Sequence, residues 1–396
     1  MLARSIKGDK IIWAIVVLLS VFSLLAVYSS TGTLAYKNQG GNTEYYMMKH
    51  LIILLVGLVL MYLAHKIKYV YYSPLFAAAL WISIPLLALT LIFGLDLNDA
   101  KRVLPLPFNL TFQTSDLAKL TLIIYLARLL TKKQDTIKDF RTAFVPLILP
   151  VLAVVFLIMP ANLSTALMLF TTSLVLLFIG GVDFKYIAAL VVSGIVAFAL
   201  FVLIVLQLPE DQQGRMETWK NRIANHIKNE GDSYQVEQAK IAVATGGLLG
   251  KGPGNSTQRN FLPHPYSDFI YSIIIEEYGY LGGVFVLLLY VILLHRAVVI
   301  VTKIPQTFGA FLTIGVAFSL VLQAMINMAV NVDVLPVTGQ PLPLVSMGGT
   351  SIWFTSLSIG IILSVSKEVE RKEKENQKTE TTEITADDKA PEAHTN

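Results

Sequence analysis

Residues 246–279 read GGLLGKGPGNSTQRNFLPHPYSDFIYSIIIEEYG, and the rest of the chain is understood outward from them. Gly246, Gly247, Gly250, Gly252 and Gly254, with Lys251 and Arg259, form a basic loop whose backbone is little shielded by side chains. Through Pro263 and Pro265 the loop enters an apolar stretch that has Asp268 near its start and Glu276 and Glu277 further in. Ionised carboxylates in such a helix are costly unless they are paired or face a wet cavity. The run therefore predicts a membrane helix with an acid at its mouth, fed by a loop able to hold anions.

The surrounding composition agrees. Of 396 residues, 54% are hydrophobic and only 15% charged, outside the usual balance of soluble domains. A bilayer core takes roughly 20 apolar residues per helix, and about ten segments meet that length. They lie near 11–31, 47–65, 74–94, 115–131, 142–159, 163–180, 186–207, 267–295, 308–330 and 344–366. The expected fold is an all-α polytopic membrane protein with about ten transmembrane helices. It comprises a membrane domain over 1–366, a large extracytoplasmic loop over 208–267 between the seventh and eighth helices, and a disordered charged tail over 367–396. Within that loop, the spacing of Arg215, Trp219, Arg222 and Ile223 suggests a helix lying on the membrane surface, and 234–244 a second short helix.

Lys and Arg in short loops set orientation. Arg4, Lys7, Lys10, Lys66, Lys68, Lys132, Lys133, Lys138, Arg141, Lys185, Arg296, Lys303 and the 367–374 cluster all fall on one side. Both termini are thereby expected in the cytoplasm. The loops around 102–116, 160–165, 208–267 and 336–346 open outside, where there is no nucleotide to drive a reaction. The net charge of +4 is small and the basic residues are scattered, which argues against nucleic acid and leaves anionic lipid as a fitting neighbour. The absence of cysteine excludes disulfides and thiol catalysis.

The glycine-rich loop is not a nucleotide P-loop, because Lys251 is followed by Gly252 and the required spacing is missing. Its N–H groups, with Lys251 and Arg259, suit a phosphate or pyrophosphate; a plain surface turn is the rival reading. Asp268 could cap its helix, or, with Ser267 as the cap, stand free at the membrane mouth, where partial burial would raise its pKa toward that of a general base. Lys119 is the expected partner of Glu276 or Glu277, with Asp116 one turn above it; a structural ion pair and a chemical role are both open. Asn327 and Asn331 share a helix face, and the prolines and glycines of 336–349 predict a broken or re-entrant helix. His264 and His295 lack companion ligands, so no dedicated metal site is expected.

Three blocks, Arg102 with FQTSDLAK, the run YQVEQAKIAVATGG through IIIEEYG, and NMAVNVDVLPVTGQPLPLVSMGGTS, closely resemble the SEDS (shape, elongation, division, sporulation) glycosyltransferases. The resemblance spans about residues 11–367. It implies polymerisation of lipid II into glycan strands on the outer face of the cytoplasmic membrane, beside a class B penicillin-binding protein and other divisome or elongasome proteins. It places the catalytic aspartate at Asp268. It further points to Arg102, Lys119, Lys240, Gln258, Glu276 or Glu277 and Ser346 as polar pocket or structural positions. Taken with the loop residues Lys251, Asn255 and Arg259 and with Ser115, the substrate-binding candidates are Arg102, Ser115, Lys119, Lys240, Lys251, Asn255, Gln258, Arg259 and Ser346, and Asp116, Glu276 and Glu277 are structural or pocket acids. The chain departs from the family pattern at Thr114 and Asp116, where proline and glutamate are usual, and at Asn162 and Met347. GPGNSTQ is more like the division branch than the elongation branch. The reaction so implied needs no cofactor beyond a divalent cation, Mg or Mn, bridged by the substrate pyrophosphate. A transporter that flips the same lipid, or a scaffold that activates a partner enzyme, is the alternative from another class.

Overall fold

The computed structural model describes residues 7–96, 101–106, 110–207 and 234–387. The surface helix expected around Arg215 to Ile223 lies outside them. Twelve helices are described: α1 Lys10–Ser30, α2 Gly32–Gln39, α3 Thr43–Lys66, α4 Tyr72–Phe93, α5 Thr114–Lys132, α6 Val145–Ile158, α7 Leu163–Ile179, α8 Phe184–Gln207, α9 Tyr234–Gly246, α10 Ile270–Lys303, α11 Thr307–Asn331 and α12 Gly349–Asp387. Each of the ten apolar segments falls on a helix, but by length and apolarity only seven of the described helices qualify as spans. The expected count of ten is not matched by that measure, for physical reasons. Helix α5 carries Asp116, Lys119, Arg128 and Lys132, and most of its first half is buried in protein rather than lipid. Helix α7 has 17 residues.

The helices pack on small residues. A Cβ at Gly360 would lie 2.5 Å from Met61 O, and one at Gly57 2.7 Å from Ser356 Oγ, so α3 and α12 approach closely over their length. Helix α12 does not stop near 366, where the sequence suggested a tail, but continues to Asp387. At the end of the bundle that holds both chain termini, Gly8 N donates to Glu370 Oε2, Asp9 pairs with Arg296, and Lys303 with Glu373.

Two features depart from a plain helical bundle. Between α4 and α5 the chain forms a three-stranded antiparallel sheet, β1 Leu95–Asp96, β2 Lys101–Leu106 and β3 Leu110–Phe112, so the fold is not entirely α. Its register sets Leu104 opposite Phe112 and Val103 opposite Leu95, and it carries Arg102 on its middle strand. Between α11 and α12, residues 332–348 are irregular although Gln340, Leu342, Leu344, Val345 and Ser346 are buried. Helical side chains satisfy that backbone. Asn327 Nδ2 donates to Gln340 O at 2.7 Å, Gln323 Nε2 to Pro341 O at 2.9 Å, and Tyr290 Oη to Pro343 O at 2.5 Å. Non-helical chain at membrane depth is tolerated on those terms, as the prolines and glycines of this segment led one to expect.

Helix α10 has 34 residues, about 50 Å at 1.5 Å per residue, well beyond a hydrocarbon core of roughly 30 Å. It is interrupted at Gly279, φ 70° and ψ −175°. Residues 270–277 before the break are enclosed by protein, whereas Leu281, Val284, Phe285 and Leu288 after it are exposed. The break divides a protein-enclosed, carboxylate-bearing piece from a lipid-facing span.

Candidate functional site

At Gly279 two stretches of chain close on each other. Lys251 N donates to Glu276 O and Gly252 N to Glu277 O, both at 2.9 Å, while Tyr280 N donates to Gly247 O at 2.8 Å. Only glycine fits the contact: a Cβ at Gly279 would fall 2.1 Å from Leu248 O, and one at Gly250 2.2 Å from Glu277 O. The loop thereby takes up carbonyls that the break in the helix releases.

Folded back in this way, the loop surrounds the protein's own carboxylates. Glu276 receives Lys251 Nζ at 2.6 Å, Thr257 N at 3.1 Å, Thr257 Oγ1 at 2.8 Å, Ser256 Oγ at 2.5 Å and Gln258 N at 3.3 Å. Glu277 accepts from Ser256 N at 3.2 Å and from Ser29 Oγ, and Arg259 Nη1 binds Ser29 O and Oγ. Both glutamates are almost fully buried. The expected pairing of Lys119 with one of them is therefore wrong: Lys119 Nζ lies 2.8 Å from Asp116 Oδ1 and 3.3 Å from Gln323 Oε1, between α5 and α11. The error came from matching charges by depth alone, because a loop folding back across 25 residues leaves no trace in helical spacing. The Lys251 and Arg259 side chains turn inward to Glu276 and Ser29, Gln258 meets Glu276 through its backbone N with its side chain buried, and Asn255 Nδ2 bonds Lys251 O. The anion this loop holds is internal.

Asp268 is built differently. The helix starts at Ile270 and its N-cap position, Phe269, gives no side-chain bond, so Ser267 is not the cap that the sequence suggested. Its Oγ instead donates to Asp268 Oδ1 at 2.9 Å. Capping comes from α11. Asn331 Oδ1 accepts Ser272 N at 2.9 Å, and the Nδ2 groups of Asn327 and Asn331 both donate to Asp268 O, at 2.9 and 2.8 Å. With the first turn served by a neighbouring helix, the Asp268 carboxylate is released from that task. Ser346 Oγ bonds Ser267 O at 2.6 Å and accepts Leu342 N at 2.7 Å, and Met347 N donates to Tyr266 O at 2.8 Å, fastening the approach to Asp268 onto the irregular segment. Burial raises the Tyr266 hydroxyl pKa, with Tyr46 and Asp268 adding to the effect.

Gly339, φ 65°, marks where the Asp268 side chain points: a Cβ there would lie 3.6 Å from Asp268 Oδ2 and 3.8 Å from Arg102 Nη1. Arg102 is delivered by β2 and held by Nε donating to Ala161 O at 3.0 Å. It also lines a cleft of about 300 Å³ walled by Leu163, Leu167 and Met168 of α7, Leu322 and Ile326 of α11, and residues 335–338. Ser115 is buried and lines a small pocket with Arg102 and Asn162. The arrangement is thus a carboxylate and a guanidinium that both border the Gly339 turn, beside an apolar cleft between helices. Lys240 Nζ pairs with Asp333 Oδ2 at 2.6 Å. Gln340, whose Nε2 binds Thr165 Oγ1 at 2.7 Å, and Ser29 and Ser256 were not singled out by sequence. A glutamine set among prolines in an apolar run was the signal for the first; the two serines offered none.

Fold and site together define an integral membrane protein with a polar cluster at one end of a helical bundle. Comparison with known proteins carries this further: residues 9–371 match the model of the cell cycle protein family of FtsW, RodA and SpoVE, and the chain belongs to that family. It is 32% identical over 368 residues to the probable peptidoglycan glycosyltransferase FtsW of Trichlorobacter lovleyi, covering 92% of this chain and 94% of that one. It is 31% identical to stage V sporulation protein E of Bacillus subtilis, covering 93% and 99%. Among solved structures, a chain from a peptidoglycan synthase complex that coordinates polymerization and crosslinking superposes with a TM-score of 0.68 at 25% identity, covering 91% of this chain and 98% of that one. The rod shape determining protein RodA of Thermus thermophilus superposes with a TM-score of 0.65 at 24% identity, over 92% and 98%, and shares the fold.

Proposed function

We propose that this protein is a peptidoglycan glycosyltransferase that polymerises lipid II on the outer face of the cytoplasmic membrane, in cell division. The observation that carries the reading is that Asn331 caps the helix start while Asn327 and Asn331 hold the Asp268 carbonyl, with the Asp268 carboxylate directed to the Gly339 turn that Arg102 also borders. The names of the relatives support the activity, and FtsW and the sporulation protein support the division branch over elongation. In the reaction, Asp268 accepts the proton of the acceptor sugar's 4-hydroxyl as that oxygen attacks the donor's anomeric carbon. The bond from that carbon to pyrophosphate breaks, polyprenyl pyrophosphate leaves with the electron pair, and the centre inverts. Charge developing on the leaving group is met by Arg102. The apolar cleft beside Arg102 suits a lipid-borne substrate. Among the described residues no three His, Cys, Asp or Glu side chains come together; a divalent cation, Mg or Mn, is proposed to arrive with the substrate pyrophosphate rather than on a dedicated site.

The basic residues of the terminal end, among them Lys66, Arg296, Lys303 and Lys367, support an orientation with that end in the cytoplasm and Asp268 outside. A class B penicillin-binding protein is the proposed partner, in keeping with the synthase complex whose fold the chain shares. Purified protein with that partner, given lipid II and a transpeptidase inhibitor, should polymerise it; Asp268→Ala and Asp268→Asn should not. Full activity in both variants would remove the assignment, and translocation of lipid II in liposomes without polymer would favour a flippase. Depletion should give filaments; round cells would move the protein to the elongation branch.

A further inference from the structure

Lys240 and Asp333 take no part in the chemistry above, yet they join the large loop to the wall of the cleft. Asp333 follows α11 after Val332 and adopts φ 61°, a left-handed conformation that few non-glycine residues take. The turn is held by Asp333 N on Val330 O at 3.1 Å and Val334 N on Ala329 O at 2.8 Å. It redirects the chain from the helix into residues 335–338, which wall the cleft, and then into Gly339 beneath Asp268 and Arg102. Lys240 reaches Asp333 from α9 at 2.6 Å, with the two side chains 39% and 21% exposed. Beside this ion pair a small apolar cluster completes the junction: Val337 of the wall packs on Ala239, Leu262, Phe269 and Ile273. Ala239 precedes Lys240, and Phe269 follows Asp268. One junction therefore bears on the cleft wall and the proposed base together.

We propose that Lys240 and Asp333 are positioning residues for the transferase site, their ion pair setting the place of wall 335–339 against Asp268 and Arg102. This rests on the reading of Asp268 and Arg102 as the reacting groups. Glycine at 333 would take the turn without strain; aspartate there adds a carboxylate that Lys240 uses. A half-exposed ion pair is worth a few-fold in an equilibrium, enough to bias the wall's position and weak enough to yield each time a lipid-linked saccharide enters or leaves.

The chain has no cysteine, so Thr338→Cys places a single reporter in the wall. In the full-length protein with its partner in liposomes, the labelling rate of that cysteine by a maleimide is compared among Lys240→Glu, Asp333→Lys, the double charge exchange and Asp333→Gly. Without the reporter, the kcat and KM of lipid II polymerisation are measured for the same set. Each single variant, Asp333→Gly included, should label roughly two- to fivefold faster and raise KM by a similar factor with kcat retained, and the charge exchange should restore both. Unchanged labelling and KM in the single variants, a fall in kcat alone, or a charge exchange that restores neither quantity would overturn the proposal. Asp268→Asn separates the two readings: it should be inactive yet label at the wild-type rate, and if it polymerises lipid II while labelling still follows the Lys240–Asp333 pair, the assignment of the base fails and the junction stands.

Discussion

Asp268 and the Glu276–Glu277 pair lie within ten residues of one another, all beside a helix entering the membrane, and the structure treats them in opposite ways. The glutamates are enclosed by a loop that brings them N–H groups, hydroxyls and an ammonium. Asp268 has its helix capped by Asn331 and its carbonyl held by Asn327 and Asn331, with its carboxylate directed to the Gly339 turn that Arg102 borders. An acid enclosed by donors of its own fold, as Glu276 is, acts as fastening; an acid whose helix start is capped by a neighbouring helix can turn toward the cleft wall. The contrast breaks most clearly at Asp268. Asp268→Asn should lower polymerisation by about 10²- to 10⁴-fold, the range for loss of a general base, without lowering the unfolding temperature; a fall in thermal stability with activity kept would erase the distinction.

The opposite pattern is expected for the enclosed pair. Glu276→Ala strands Lys251 and several loop donors, and breaking a buried pair costs about 3–5 kcal/mol; thermal unfolding in detergent should show this, with any activity loss following the unfolded fraction. Asn331→Ala lies between the two regions. It leaves Ser272 N and one bond to Asp268 O unmet, a cost of about 1–3 kcal/mol, and should lower kcat more than its stability loss explains, because the turn bearing the base is loosened. The smallest change belongs to Arg259→Met, which removes the two part-buried bonds to Ser29 O and Oγ and should cost about 1–2 kcal/mol with no change in KM for lipid II.

Much of this was legible beforehand. Runs of apolar residues are long enough to mark the helices, and the polar blocks around Arg102, Asp268 and Ser346 come together at the Gly339 turn and the approach to it. Where reading failed, the cause was folding back of the chain. Lys251 meets Glu276 only because Gly246, Gly250 and Gly279 let two backbones touch, and no periodicity encodes that approach. The strand Lys101–Leu106, with Pro105 inside it, resembles a connector until its partners are seen. Helix α5 was counted with the lipid-facing spans because composition cannot separate a helix surrounded by protein from one surrounded by acyl chains.

The ionic fastenings where the chain begins and ends have a mechanical meaning. Asp9 with Arg296 and Lys303 with Glu373 tie the first and last long helices to the C-terminal end of α10, making that end a clamped base. A lever clamped at its base moves at its tip, and the far end of the bundle here carries Asp268, Arg102 and the cleft wall, so motion of these helices is felt most at the proposed site.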